Sequence, residues 1–302
     1  MQPKVIIHGG AGRSLEDKGG LEPVRRSLHG VVEQVYARLL TGASAMEAVA
    51  LGCQLLEDEP RFNAGTGSVL QSDGQIRMSA SIMEGRSQRF SGVINVSRVR
   101  HPINLAVYLQ QERDRVLSDY GAAELARELA VPVYNPLTTE RLMEWQRERE
   151  DNFTKNMAGV VSRSTIGVVV VDQAGRLAAG TSTGGKGFER IGRVSDSATP
   201  AGNYANAHAA VSCTGIGEDI LEECLAARIV VRATDGLSLG DAMHRSFQEA
   251  QGRQRDFGAI AISAGGAIAW GKTSDVLFAA YHNGEQIHDT LELAVGTVVG
   301  CG

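Results

Sequence analysis

The feature that most constrains this chain lies in its middle, where a polar stretch without periodicity gives way abruptly to a valine-rich strand. From Arg147 the sequence runs Arg-Glu-Arg-Glu-Asp-Asn-Phe-Thr-Lys-Asn-Met and on to Ser164, with too little apolar surface to order itself. Thr165 then opens Ile166-Gly-Val-Val-Val-Val-Asp172, and a turn at Gln173-Ala174-Gly175 returns the chain through Arg176 to Ser182. Such a hairpin, apolar on both faces, belongs in the interior of a layered fold. The expected division is therefore an N-terminal part, 1–164, ending in an exposed tail at about 147–164, and a C-terminal part, 165–302, that begins inside the core.

Periodicity supplies the remaining elements. Lys4 to His8 reads as a short buried strand. Val24, Leu28, Val31, Val35 and Leu39 follow Pro23 at helical spacing, and Ser44 with Glu47 forms the capping box of a second helix through Met46, Val49, Cys53 and Leu56. Strands are expected at 68–71, 75–80 and 91–96, with a hairpin turn at Ser72-Asp73-Gly74. Helices are expected at 104–117, 121–129 and 138–150. After the central hairpin come helices at 218–234 and 238–251, a hairpin at 259–262 and 267–270, and a final strand at 276–281. Strand, helices, strands and helices, repeated, predict an α+β chain of one domain, 1–302, with helices layered outside two packed sheets.

Glycine adds to the constraint. The chain holds 36 glycines, roughly 12% against a usual ~7%. They cluster at His8-Gly-Gly-Ala-Gly12, Asn63-Ala-Gly65-Thr-Gly67, Thr183-Gly-Gly-Lys-Gly187 and Thr214-Gly215-Ile-Gly217, each beside an expected strand, where the backbone must turn tightly or approach a ligand.

Other classes are set aside by composition. With 30 Lys+Arg against 35 Asp+Glu and a formal net charge of -5, no basic run tracks a phosphate backbone, so nucleic acid is not an expected partner. No window approaches the roughly 20 apolar residues of a membrane span, and the first residues lack a leader's apolar run. A cytoplasmic protein without membrane contact is expected. Cys53, Cys213, Cys224 and Cys301 share no metal-ligand spacing and are expected as reduced core thiols. Gly180 to Lys186 satisfies the phosphate-loop spacing, but Gly187 occupies the hydroxyl position and glycines replace the start of the helix.

Three threonines carry the chemistry: Thr165 at the head of one strand, Thr183 at the end of its partner, and Thr214 after the strand-like 209–213. A threonine hydroxyl is a weak nucleophile, and one solution is to make it N-terminal so that its own amine takes the proton. Thr165, between a polar tail and a rigid strand, stands at the junction this solution needs.

These residues sit in a longer series. Thr165-Ile-Gly167, Thr181-Ser-Thr183-Gly-Gly, Gly192-Arg193-Val-Ser-Asp196-Ser, Ala201-Gly202-Asn-Tyr204-Ala-Asn and Cys213-Thr214-Gly215-Ile-Gly217-Glu resemble the plant-type asparaginase and isoaspartyl peptidase family. His8-Gly-Gly-Ala-Gly12 and Leu56-Glu-Asp-Glu-Pro-Arg-Phe62-Asn63-Ala-Gly65 extend the likeness through the N-terminal half. The resemblance implies a four-layer αββα sandwich of the N-terminal-nucleophile hydrolases, cleaved between Ser164 and Thr165 into α and β subunits that stay associated, commonly as a homodimer of αβ units. It implies Thr165 as nucleophile, Thr183 assisting it, Thr214 and Gly215 as oxyanion hole and Asn63 beside the nucleophile. It further implies Arg193 and Asp196 gripping the substrate's α-carboxylate and α-ammonium, with Gly215 and Gly217 giving backbone contacts. The implied substrates are asparagine and isoaspartyl dipeptides, with no organic cofactor. A structural Na+ is implied on the carbonyls of Leu56, Glu57, Glu59, Phe62, Ala64 and Thr66.

The chain departs from that pattern at Ser164, where these enzymes usually have glycine, at Ser79, where relatives commonly have aspartate, at Ile191 and Ser195 around Arg193, and around Thr273. A Cβ at residue 164 narrows the conformations open to self-cleavage. The competing expectation is an uncleaved, catalytically silent relative that keeps the pocket as a small-molecule binding module.

Overall fold

The structure, a computed structural model, describes residues 1–150 and 165–302. Two sheets stack face to face between two helix layers. The larger sheet has eight strands: β1 (Lys4–Gly12), β2 (Met78–Glu84), β3 (Arg89–Val96), β4 (Val116–Ser118), β5 (Ile166–Val171), β6 (Leu177–Thr183), β11 (Val276–His282) and β12 (Ile287–Asp289). Their order is β12-β11-β1-β5-β6-β2-β3-β4. The second sheet runs β13 (Val298–Cys301), β10 (Ile268–Lys272), β9 (Phe257–Ser263), β8 (Ala209–Gly215) and β7 (Asn203–Ala205). Neighbouring strands are antiparallel except β3 with β4.

The valine run of β5 shows why the sequence takes this form. Val168 and Val170 join the core beneath helices α1 (Leu21–Leu40) and α2 (Ala45–Glu57), while Val169 and Val171 join the core between the sheets with Ile260 and Ile262. Period-two alternation thus divides one strand between two cores, each buried valine contributing about 1.5–3 kcal/mol. A third core places Val211 and Cys213 of β8 against Ile229 of α7 (Leu225–Thr234) and Phe247 of α8 (Leu239–Gly252). Helix, sheet, sheet, helix is the expected αββα order. The Ser44 capping box forms in full, with Glu47 N–H donating to Ser44 Oγ and Ser44 N–H to Glu47 Oε2.

Several expectations need correction. The strand expected at 75–80 is β2, which starts at Met78 and runs on to Glu84, and the strand expected at 68–71 does not form. That segment spends its hydrogen bonds elsewhere: Val69 N–H on Asn63 Oδ1, Ser72 N–H on Glu189 O, and Leu70 O on Phe188 N–H. The helix expected at 104–117 is α3 (Pro102–Leu109), followed by the short β4, and the one expected at 121–129 is α4 (Asp119–Glu128). The helix expected at 218–234 is two, α6 (Gly217–Glu223) and α7, broken where Cys224 adopts φ 48° and ψ 45°. Strand β11 is not the last, since β12 and β13 follow. Arg147 to Glu150 are not tail but the end of α5 (Thr139–Glu150), which Trp145 and Arg141 tie to Gln71 O and Gly67 O. The rest of the expected tail, Ser164 with it, lies outside the described residues. Cys53 and Cys213 are buried free thiols as expected, but Cys224 and Cys301 are exposed.

Candidate active site

Thr165 sits at the head of β5, and its neighbours come from both sheets. Its hydroxyl donates to Thr183 Oγ1 at 3.2 Å, and Thr183 Oγ1 also accepts the Gly185 N–H at 3.1 Å. Hairpin pairing of β5 with β6 creates this contact, since Ile166 lies opposite Ser182 and the two threonines fall at the same end of the ladder. Asn63 closes the side: its Nδ2 donates to Gly185 O at 2.6 Å, and its own carbonyl accepts the Gly184 N–H at 2.9 Å.

Beneath Thr165 lies a directed chain of hydrogen bonds that the sequence did not announce. His8 Nδ1 is 2.9 Å from Thr165 O, and because a carbonyl only accepts, Nδ1 carries the proton. Nε2 is then the acceptor for Ser212 Oγ at 3.0 Å, and Ser212 in turn meets Thr181 Oγ1 at 2.6 Å. Burial drives the imidazole pKa down to about 3, partly opposed by the Thr165 carbonyl, so the ring is neutral. Gly167 makes room for this contact. A Cβ there would lie 2.0 Å from Ser212 Oγ and 2.4 Å from His8 Nε2.

Thr214, the next-to-last residue of β8, has a buried hydroxyl that accepts the Ala11 N–H at 3.1 Å. From it the backbone runs through Gly215 and Ile216 to Gly217, where Arg193 and Asp196 converge. A Cβ on Gly217 would lie 2.5 Å from Arg193 Nη2 and 2.7 Å from Asp196 Oδ1, so the missing side chain leaves a recess floored by one cation and one anion. Arg193 does not pair with Asp196. It gives Nε and Nη2 to the two Glu218 oxygens at 2.9 and 3.1 Å, a carboxylate the sequence reading passed over although it adjoins the glycine cluster.

The two carboxylates differ. Burial raises the Asp196 pKa to about 6 against the opposing charge of Arg193, and its Oδ2 has no hydrogen-bond partner among the described residues. Glu218 is also pushed up by burial, but the Arg193 hydrogen bonds and charge outweigh this and hold it at about 2. A buried carboxylate with an unsatisfied oxygen beside a guanidinium offers an acceptor and donors side by side to a group carrying both charges. A surface cavity of about 450 Å³ between Leu70 and Leu137 includes none of these residues.

The family model described as asparaginase matches residues 1–292. The chain belongs to the asparaginase family. An isoaspartyl peptidase/L-asparaginase of Nostoc sp. is 70% identical over 99% of this chain and 98% of its own length. One of Synechocystis sp. is 60% identical over 99% and 94%. A plant-type L-asparaginase of Pyrococcus horikoshii is 36% identical over 92% and 95%.

In this chain, Gly180 to Thr183 lie within β6 and no helix follows Lys186, so the phosphate-loop spacing has no loop to serve. Among the described residues no cluster of His, Cys, Asp or Glu could hold a metal ion, and no helix is long and apolar enough to cross a membrane. In the segment 56–66 the Leu56, Glu57 and Glu59 oxygens accept N–H groups of Glu59, Thr66 and Phe62, while none of the loop's N–H groups reaches the oxygens of Phe62, Ala64 or Thr66. Ser79 lies opposite Thr183 in the β2–β6 ladder, and its hydroxyl accepts the Asn95 N–H while Asn95 Nδ2 holds Arg193 O.

Proposed function

We propose that this chain is an autoprocessed amidohydrolase that splits the side-chain amide of L-asparagine and the β-linked peptide bond of isoaspartyl dipeptides, with Thr165 as nucleophile. The observation that carries this reading is the Thr165 hydroxyl, bonded to Thr183 at the head of a buried strand one residue after Ser164. In the precursor the Thr165 nitrogen is a peptide nitrogen. Attack of Thr165 Oγ1 on the Ser164 carbonyl carbon forms an ester and frees the Thr165 amine as the Ser164–Thr165 C–N bond breaks and its nitrogen takes up the proton, and water then hydrolyses the ester to a carboxylate at Ser164 and the Thr165 hydroxyl.

That amine is the general base. It takes the Oγ1 proton as Oγ1 bonds to the substrate's β-carbonyl carbon, and the proton passes to the departing nitrogen as the C–N bond breaks. Ammonia or an amino acid leaves, and water hydrolyses the aspartyl ester. Thr183 orients the nucleophile. Thr214 already accepts from Ala11 N–H, which leaves its proton for the developing oxyanion beside the Gly215 N–H. Arg193 binds the α-carboxylate and Asp196 the α-ammonium, with Gly215 and Gly217 offering backbone contacts and Asn63 holding the 184–185 segment. The main-chain oxygens of Leu56, Glu57, Glu59, Phe62, Ala64 and Thr66 would hold a structural Na+, which would serve the loop and not the reaction. The αβ units pair as a homodimer in the cytoplasm.

Intact mass of the purified protein tests the junction. Fragments 1–164 and 165–302 are expected, together with release of aspartate from β-aspartyl dipeptides. Thr165→Ala should leave the chain whole and abolish turnover. Turnover by uncleaved Thr165→Ala protein would sink the reading, and native mass of the same samples reports the pairing of αβ units.

A further inference from the structure

Lys272, the last residue of β10, is fully buried, and its ammonium is satisfied by main-chain oxygens. Nζ donates toward Asp275 O and Ala294 O at 2.8 Å and toward Ser274 O and Gly296 O at 3.2 Å. Among the described residues it forms no salt bridge with a carboxylate. Three ammonium protons inside four carbonyl dipoles reproduce the coordination that a potassium-sized ion takes from a ring of backbone oxygens. Two separate segments supply those oxygens, the turn after β10 and the run that leads into β13. Without the charge between them, the four carbonyl oxygens would face one another with no donor between them.

The cage stands one strand behind the Thr214 corner. Lys272 lies opposite Gly258 of β9, which lies opposite Thr214 of β8. The turn it grips is latched to the same place: Thr273 Oγ1 accepts the Phe257 N–H at 2.9 Å, and Ser274 Oγ donates to Asp256. Phe257 lies opposite Gly215, and Asp256 O accepts the Ile216 N–H at 2.9 Å. We propose that Lys272 is a tethered monovalent cation, a positioning residue whose ammonium fills a carbonyl cage and thereby fixes the 256–257 backbone against which Gly215 and Ile216 are set.

The proposal predicts that the cage will accept a free ion of ammonium size when the tether is cut. Lys272→Ala, expressed as the full chain, should melt at lower temperature than the native protein and lose roughly tenfold in kcat when choline is the added cation. Both losses should be recovered, saturably, on adding K+, with lithium ineffective and a constant sodium background throughout. The native protein should show no such response. β-Aspartyl dipeptides serve as substrate, so that no ammonium is produced. Lys272→Met fills the space without charge and should be impaired whatever the cation. Melting temperature reads the cage independently of the nucleophile, so failure of the catalytic reading leaves this test intact. A Lys272→Ala protein indifferent to K+, one that is insoluble in every cation, or a Lys272→Met protein equal to the native one would overturn the proposal.

Discussion

At the scale of single residues, the two sides of the recess beside Gly217 are unequal. Arg193 is held by Glu218 in a bidentate contact, and a guanidinium keeps its charge across the working range. Asp196 is the weak partner, because burial raises its pKa to about 6, and only its ionised form attracts an α-ammonium. As pH falls through 6, the carboxylate protonates and the recess loses its anion. Calorimetric affinity for L-aspartate should therefore be constant above that value and fall toward about tenfold per pH unit below it. Asp196→Asn should bind weakly with no inflection near 6. An inflection that persists in the variant would assign the titration to another group.

Elements were legible in the sequence where local signals and tertiary partners agreed. The β5–β6 hairpin, the Ser44 capping box and the three threonines could be read because strand alternation, capping chemistry and chain order all work over short distances. Failures came where a distant partner decided. The helical pattern runs through 218–234 without a break, yet the first free N–H groups of α7 bond to carbonyls of residues 200 and 201, a second helix start that no local rule contains. His8 could be placed on its strand but not against Thr165, because the Ser212 contact crosses from one sheet to the other. Glu218 was masked by the glycines before it. The loop 56–66 follows the same logic, since its proposed ligands are backbone oxygens that side-chain identity does not encode. Replacing sodium by choline should lower the melting temperature of the native protein, and an unchanged value would remove the ion from this loop.

For the molecule as a whole, two buried ionisable groups set opposing limits on stability. His8 has a folded pKa of about 3 against 6.5, so it binds fewer protons folded than unfolded between those values, and stability falls as pH drops through that window. Glu57, at the end of α2, is the reverse. Burial raises its carboxyl to about 8 from 4.5, while Ser182 Oγ and Ile103 N–H donate to one oxygen and the other has no partner among the described residues. Folded Glu57 therefore holds a proton that the unfolded chain releases above 4.5, and stability falls as pH rises toward 8. From 4.5 to 6.5 the slopes from His8 and Glu57 oppose each other. Glu57→Gln keeps an oxygen for Ser182 and Ile103 but cannot ionise. Its unfolding free energy relative to the native protein should accordingly rise between pH 4.5 and 8, by on the order of 2–4 kcal/mol. Urea denaturation at several pH values measures the difference, and a gap that stays flat with pH would mean that Glu57 is ionised in the folded chain and held by a cation.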